Sequence, residues 1–313
     1  MNTLRGMIKL SVAMTTISLL NGCSFAQERA TQAPITQKEI ISPALLEVLS
    51  VTNVPHDGTL KSIVDATQKA WLRPAGVERW QMGETYKEQG PQLYPLFKKL
   101  GIMDDVNPAQ KTYDYGIILG ALVSRVRQRL ASAVEAWNNG IRFSHLVFLV
   151  GARPLDPEKE SERDLFNASN KYLPIKAGWK APATLPTTET EMARMVFDQA
   201  DLPEDFRKAV TVTFVDTPMQ KTTSGDLRRP NTGDTVNQWL ADPATKPGSV
   251  LAFSNQPYVD YQDAVLRTLL PETFTVETVG AAGSGNEQVD VVLDNLARWL
   301  YQEQKYQQSH TKK

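Results

Sequence analysis

Cysteine is nearly absent from this chain, since Cys23 is the only one among 313 residues. An internal disulfide and a zinc site built from several cysteines are therefore excluded. Histidine is also scarce: His56, His145 and His310 are the only three, and no His-Glu-x-x-His motif occurs. The sequence thus lacks a histidine-rich metal centre and offers little to a serine nucleophile that needs a histidine base.

An excess of positive charge is missing as well. The 34 Lys and Arg residues are balanced by 35 Asp and Glu residues, for a formal net charge of −1. This balance argues against a nucleic-acid partner. Beyond the N-terminal region, no apolar run approaches the roughly 20 residues that a membrane-spanning helix needs. Hydrophobic residues still make up 41% of the chain, which is enough for a packed core.

The first residues have the pattern of a bacterial export signal. Arg5 and Lys9 precede an apolar run that is too short to span a bilayer. The next residues, Leu20-Asn-Gly-Cys23, resemble a lipobox, in which the cysteine thiol accepts a diacylglycerol group. The sequence therefore predicts a lipoprotein signal peptide over residues 1–22 and lipid attachment at Cys23.

The residues after Cys23 indicate where the protein is expected to work. Ser24 stands where an aspartate would resemble the inner-membrane retention signal, so we expect an outer-membrane anchor facing the periplasm in a Gram-negative cell. Residues 23–42 are rich in Gln, Thr, Ala and Pro, and they predict a flexible tether. Because each buried acyl CH₂ contributes roughly 0.8 kcal/mol, the attached lipid makes the membrane an expected partner.

The pattern of apolar residues changes once along the chain. In residues 43–108 their spacings of three and four predict an N-terminal helical segment, in which Trp71 and Trp80 are interpreted as packing residues rather than a ligand cage. In residues 109–305, short apolar runs alternate with helical patterns. The sequence predicts an α/β, Rossmann-like fold with a mostly parallel sheet and helices on both faces. The predicted strands cover residues 115–119, 146–150, 210–215, 250–253 and 274–279.

Two stretches depart from this alternation. Residues 152–187 carry many charges and prolines with little periodicity, and they predict a long excursion or lid inside the α/β domain. Residues 306–313 read as a polar tail. Neither stretch has the apolar spacing of a core element.

Ligands of open parallel sheets bind beyond the carboxyl ends of the strands. This rule selects Gly120, Asp216 and Asn255, which follow or end predicted strands. The loop Gly283-Ser284-Gly285 leads into the last predicted helix and is a weak candidate for anion binding through backbone N–H groups; a tight turn is the alternative. Ser254 lacks the flanking glycines of a nucleophile elbow, so no catalytic residue is predicted.

A series of short motifs follows the predicted strands and helices in a particular order. They are Ile117-Ile-Leu-Gly-Ala121, Arg129-Leu-Ala-Ser-Ala133, Val147-Phe-Leu-Val-Gly151, Glu191-Met192, Asp216, Asn231-Thr-Gly-Asp234-Thr235 and Ser254-Asn255. In this order they resemble the DUF218 family of bacterial envelope proteins, which includes SanA-, YdcF- and ElyC-like members. The resemblance covers a little over half of the chain.

The resemblance implies a Rossmann-like fold, an envelope setting and a nucleotide-like or S-adenosylmethionine-like ligand, with a role in handling cell-wall precursors. Arg129 would pair with an anionic group of that ligand, and carboxylates would accept its hydroxyl or amine groups. The alternative for Arg129 is a salt bridge on the helix surface, which contributes little. The implied cleft would be lined by Gly120, Arg129, Glu191, Asp216, Thr232, Asp234 and Asn255.

Three functions remain open at this point. The first is a lipid-anchored envelope protein that binds a small anionic ligand. The second is a non-catalytic interaction lipoprotein serving an envelope or secretion partner, which is favoured because Tyr258 and Tyr261 stand where the family has His and Arg. The third is a metal-dependent hydrolase, in which acidic side chains would bind a hard cation. The candidate ligands of that cation are Asp156, Glu191, Asp216 and Asp234.

Overall fold

A central sheet of five parallel strands organises the protein. The computed structural model describes residues 34–35 and 40–310, so the predicted signal peptide, Cys23 and most of the predicted tether lie outside the described residues. The strands are β1 Thr112–Leu119, β2 Arg142–Gly151, β3 Thr211–Thr217, β4 Gln220–Lys221, β5 Leu227–Arg228, β6 Ser249–Asn255 and β7 Thr275–Ala281. Of these, β4 and β5 form a separate antiparallel hairpin.

Helices connect the strands and precede them. They are α1 Pro43–Val51, α2 Leu60–Ala70, α3 Gly90–Lys99, α4 Val123–Asn138, α5 Glu162–Leu165, α6 Glu189–Gln199, α7 Glu204–Ala209, α8 Thr232–Leu240, α9 Val259–Leu269 and α10 Val289–His310. Two short 3₁₀ turns, Arg79–Gln81 and Lys87–Gln89, lie between α2 and α3.

The strand order of the sheet is β3-β2-β1-β6-β7. The chain moves outward from β1 to β3, then returns across the sheet and adds β6 on the other side of β1. The loops after β1 and β6 therefore leave the sheet in opposite directions, which creates a crevice at their carboxyl ends. All four strand pairings in this sheet are parallel, and the predicted α/β, Rossmann-like fold is confirmed.

Apolar side chains alternate between the two faces of the sheet, as the two-residue period of a strand requires. Ile118 and Phe253 belong to the core beneath α4 and α6. Ile117 and Ala252 belong to the core beneath α8 and α9. Because both faces are covered, the strands are apolar along nearly their whole length, and this explains why short apolar runs locate them in the sequence.

The N-terminal helices share a core with the last helix. Leu49 of α1, Ile63 of α2 and Phe97 of α3 are fully buried in one cluster with Leu293 and Leu300 of α10. Side chains cap two of these helices, since Ser42 Oγ accepts from Leu45 N and Thr59 Oγ1 accepts from Ser62 N. The segment before the sheet is thus packed against the α/β body through α10.

The two irregular stretches are held more firmly than their sequence suggests. Residues 152–187 contain only the short helix α5, but Leu165 and Leu173 bury this excursion in the core beside α4. The last helix continues through His310, beyond the predicted start of the polar tail at residue 306. Its end is held because the Arg267 guanidinium lies 4.7 Å from the Tyr306 ring centroid and Gln307 is buried.

Within the described part of the chain, no helix combines the length and the apolar character that crossing a bilayer would need.

Replacing Phe97 by alanine tests whether the N-terminal helices and the sheet unfold together. Phe97 is completely buried, so Phe97→Ala should lower the free energy of unfolding by about 3–5 kcal/mol. Urea denaturation should still show a single transition at lower urea. The matched control is Leu46→Ala on α1, whose side chain is 40% exposed and whose loss should matter little. A separate early transition for Phe97→Ala would show that the helical segment is an independent unit.

Candidate functional site

The side chain of Arg129 joins the carboxyl ends of β1 and β6. Its Nε and Nη2 donate to Asn255 Oδ1 at 3.1 and 3.0 Å. Its Nη1 donates to the carbonyls of Leu119 and Gly120 at 2.7 and 2.9 Å. Asn255 ends β6 and Leu119 ends β1, while Gly120 directly follows β1. Three predicted site residues, Gly120, Arg129 and Asn255, therefore meet at the crevice.

The charge of Arg129 has only neutral partners here. Arg129 is 2% exposed, and no carboxylate among the described residues forms an ion pair with it. Burial, and after it the positive charge of Arg125, lower the pKa of Arg129 to about 9. The guanidinium is therefore still charged near pH 7. Buried charged groups are usually paired with an opposite charge, and Arg129 is not.

A rim of half-buried side chains surrounds Arg129. Arg125 lies one helical turn earlier on α4, and its Nη1 donates to Gln128 Oε1 at 2.7 Å. The Arg79 guanidinium lies 4.8 Å from the Tyr258 ring centroid. The charges of Arg125, Tyr258 and Arg79 all affect the pKa of Arg129, so these groups are close to it. The rim is basic and partly open to solvent.

Residues 73–89, which we name the strap, cross the carboxyl edge of the sheet. Glu78 of the strap pairs with Arg73 at 3.3 Å and with Arg229, just before α8, at 2.8 Å. Arg79 Nε lies 3.8 Å from Asp294 of α10. The strap thus links the N-terminal helices to both sides of the crevice and places Arg79 in the rim.

A buried carboxyl group, that of Glu189, lies on the opposite side of Gly120 from Arg129. A methyl group on Gly120 would come within 2.8 Å of Glu189 Oε1 and of the Leu149 carbonyl, so only glycine fits there. Glu189 is 7% exposed. Burial raises the pKa of Glu189 to about 7, against the opposing charge of Arg153 and a hydrogen bond from the Gly151 backbone.

Arg153 is already paired with another carboxylate. Its Nη1 and Nη2 donate to Glu160 Oε2 and Oε1 at 2.7 and 3.0 Å, whereas Glu189 Oε1 is 3.7 Å from Nη2. Glu160 Oε1 also accepts from the backbone N of Val123, the first residue of α4, at 3.1 Å. In Rossmann-like proteins this helix end binds the ligand's phosphate. Here Glu160 occupies that position.

Three of the predicted cleft residues lie at helix starts. Glu191 is exposed, and its Oε2 accepts from Thr187 and Thr188 in the capping box of α6. Asp234 closes the capping box of α8 and pairs with Arg228 at 2.6 Å. Thr232 is the first residue of α8. These contacts satisfy the orphan N–H groups of the helix ends, and the structure does not bring Glu191, Thr232 or Asp234 to Arg129.

Asp216, near the end of β3, takes an intermediate position. It is exposed, and its Oδ1 accepts from Thr190 Oγ1 at 2.8 Å. Thr190 directly follows Glu189 on α6. Asp216 therefore supports the helix that carries the buried carboxyl rather than contacting Arg129.

The predicted anion-binding loop holds a carboxylate of the chain itself. Ser284 N donates to Glu287 Oε1 at 2.5 Å, and Gly285 N donates to Glu287 Oε2 at 3.0 Å. The N–H groups that the glycine-rich sequence suggested for a ligand are thus used locally. The contacts of Gly283, Ser284 and Gly285 fit the alternative of a tight turn before α10.

The other candidates for chemistry are separated from one another. His56, His145 and His310 are all exposed, and Ser254 is buried and donates to Gln262 Oε1. No group of three or more His, Cys, Asp or Glu residues in the described ranges could hold a metal ion. Asp156 accepts from the backbone N atoms of Glu158 and Lys159, within its own turn.

Surface depressions lie near the N-terminal helices and the start of α10. One of about 600 Å³ is lined by residues between Pro55 and Ala70, and one of about 510 Å³ by Trp80 and the start of α10. Neither is lined by Arg129. Trp71, by contrast, is buried among the N-terminal helices.

Comparison with family models, curated proteins and solved structures finds no match to this chain.

Substituting Glu189 by glutamine should change how stability depends on pH. Because the pKa of Glu189 is raised to about 7, the folded protein keeps a proton that the unfolded chain loses near pH 4.3. The resulting stabilisation is complete below pH 4.3 and disappears as the pH rises through 7. Between pH 5 and 8, the free energy of unfolding should therefore fall by about 2–3 kcal/mol more in the wild type than in Glu189→Gln.

Urea denaturation at pH 5 and pH 8 measures this difference. Glu191→Gln is the matched control, since it removes a carboxylate from the same helix but an exposed one. Hydrogen bonds from Thr187 lower the pKa of Glu191, so its stabilisation is lost only at more acid pH. Parallel pH profiles of the wild type and Glu189→Gln would contradict the assignment.

Proposed function

We propose that this chain is a lipid-anchored envelope protein that binds a small phosphate-bearing anion at the crevice between β1 and β6. The observation that carries the proposal is the buried guanidinium of Arg129, which is charged near pH 7 and has only neutral partners among the described residues. Arg125 and Arg79 add positive charge beside it. In a partly buried crevice such charges attract anions more strongly than in water.

The position of Glu160 narrows the class of ligand. Its carboxylate caps the start of α4, where the pyrophosphate of a bound dinucleotide would lie. We therefore expect the anion to bind beside the side chains of Arg125 and Arg129 rather than at the backbone N–H groups that begin α4. A mononucleotide-like or precursor phosphate fits this expectation, and the resemblance to the DUF218 family supports a ligand of that kind.

The interaction lipoprotein remains the second candidate. The observation in its favour is the hairpin of β4 and β5, in which Leu227 is 64% exposed and which lies outside the central sheet. No observation favours the metal-dependent hydrolase, because its candidate ligands Asp156, Glu191, Asp216 and Asp234 serve separate turns, caps and hydrogen bonds.

A thermal-shift screen tests the anion site. The probes are pyrophosphate, adenosine monophosphate, S-adenosylmethionine and an isoprenyl phosphate. A phosphate-bearing ligand at a hundredfold excess over its Kd stabilises the folded state by about 2.7 kcal/mol, so Tm should rise by several degrees. Arg125→Gln should weaken binding about tenfold or more, because it removes a rim charge with little effect on the core.

The matched control for this screen is Lys208→Gln. Lys208 lies on α7, which leads into the amino end of β3, and its side chain is 73% exposed. The substitution makes the same change in net charge at the opposite edge of the sheet, and binding should persist. Absence of a shift with every anion, or equal shifts in wild type and Arg125→Gln, would leave the interaction lipoprotein as the better candidate.

The lipid anchor is tested at Cys23. Expressed in a Gram-negative host with radiolabelled palmitate, the wild-type chain should carry label and sediment with outer membranes. Cys23→Ala should carry none and should be recovered in the periplasmic fraction. Because a single short apolar segment precedes Cys23, an unlabelled wild-type chain would point to an ordinary cleaved signal peptide and would refute the anchor.

A further inference from the structure

One arginine serves two buried carboxyl groups beside the proposed anion site. Arg153 donates two hydrogen bonds to Glu160, at 2.7 and 3.0 Å, and its Nη2 is 3.7 Å from Glu189 Oε1. The Glu160 carboxylate also accepts hydrogen bonds from the backbone N atoms of Val123 and Asp156. Glu189 is therefore less closely paired with Arg153 than Glu160 is. Two carboxylates that share one cation do not both ionise readily, and the less well paired one keeps its proton.

Groups from every neighbouring element face Glu189. Gly151 N at the end of β2 donates to it, and the charges of Arg153, Glu160 and Arg229 act on its pKa. Arg129 of α4 also interacts with it electrostatically. On its own helix, the next carboxylate, that of Glu191, points into the exposed capping box. Burial is the largest of these effects. It raises the pKa of Glu189 to about 7, although the positive charges of Arg153 and Arg229 lower it.

Gly120 lies between the Glu189 carboxyl and the proposed anion site. The Gly120 carbonyl accepts from Arg129 Nη1 at 2.9 Å, and a methyl group on the same residue would lie 2.8 Å from Glu189 Oε1. An anion beside Arg129 would therefore place negative charge within several ångströms of the Glu189 carboxyl. At such distances and in a buried setting, two like charges interact strongly.

We propose that anion binding at the crevice is coupled to proton uptake by Glu189, so that the site holds its ligand more tightly in acid than in alkaline medium. This inference rests on the proposed anion-binding function. The protonated carboxyl removes the repulsion that its ionised form would exert on the ligand. Ligand release then accompanies loss of the proton, which makes Glu189 a positioning residue of the site and sensitive to the surrounding pH.

Calorimetric titration with inorganic pyrophosphate at pH 6 and pH 8 tests the coupling. If only the protonated form binds well, a carboxyl that titrates near pH 7 lowers the affinity roughly tenfold over this range. Glu189→Gln mimics the neutral carboxyl, so the affinity of this variant should not show the decrease that the ionisation of Glu189 causes. The affinity for pyrophosphate at pH 6, divided by the affinity at pH 8, should therefore be about tenfold larger in the wild type than in Glu189→Gln. Glu191→Gln should keep the wild-type ratio.

A second measurement counts the protons exchanged on binding, in the wild type and in Glu189→Gln. At pH 7, titrations in two buffers with different heats of ionisation count the protons exchanged on binding. Pyrophosphate that binds to arginines can only release protons, so net uptake must come from the protein. Equal proton counts, or equal affinity ratios, in the wild type and Glu189→Gln would overturn the coupling but leave the anion site in place. If pyrophosphate does not bind the wild type at either pH, the anion site and the coupling both fail.

Discussion

The guanidinium of Arg129 holds together the three elements that form the crevice. It anchors the second turn of α4 to the end of β1 through two carbonyls and to the end of β6 through Asn255. In an open sheet the strand order reverses at these strand ends, and the buried backbone carbonyls there need hydrogen-bond donors. A planar group with several donors satisfies them at once and fixes α4 against both strands.

Charges are separated across Gly120. Arg129, Arg125 and Arg79 lie on one side without a full complement of carboxylates, while Glu160 and Glu189 share Arg153 on the other. Burying one charged group without a counterion is expensive, and two like carboxyl groups around one arginine add to that cost. Core packing must offset both costs, and neither is needed to hold a parallel sheet. Such imbalance is typical of sites that bind or titrate.

The sequence predicted the fold better than the site, for physical reasons. Strands buried on both faces must be apolar, so short apolar runs located all five strands of the sheet. The rule that ligands bind beyond the carboxyl ends of parallel strands selected Asn255 and Gly120 together, because that rule follows from topology alone. Glu189 was missed because Glu191 stands two residues later in the same acidic motif. Only the capping geometry shows that Glu191 is used by the helix end, which leaves Glu189 free to turn inward.

That pair of glutamates shows why a motif of residue types cannot assign a site by itself. Both lie in the first turn of α6, yet hydrogen bonds from Thr187 lower the pKa of Glu191 while burial raises that of Glu189. The same distinction applies to the glycine-rich loop, where Glu287 takes the N–H groups, and to α4, where Glu160 takes the helix start. In each of these places, then, the chain supplies its own anion. A foreign anion must bind where no internal carboxylate has been provided, and among the described residues Arg129 and Arg125 meet that condition.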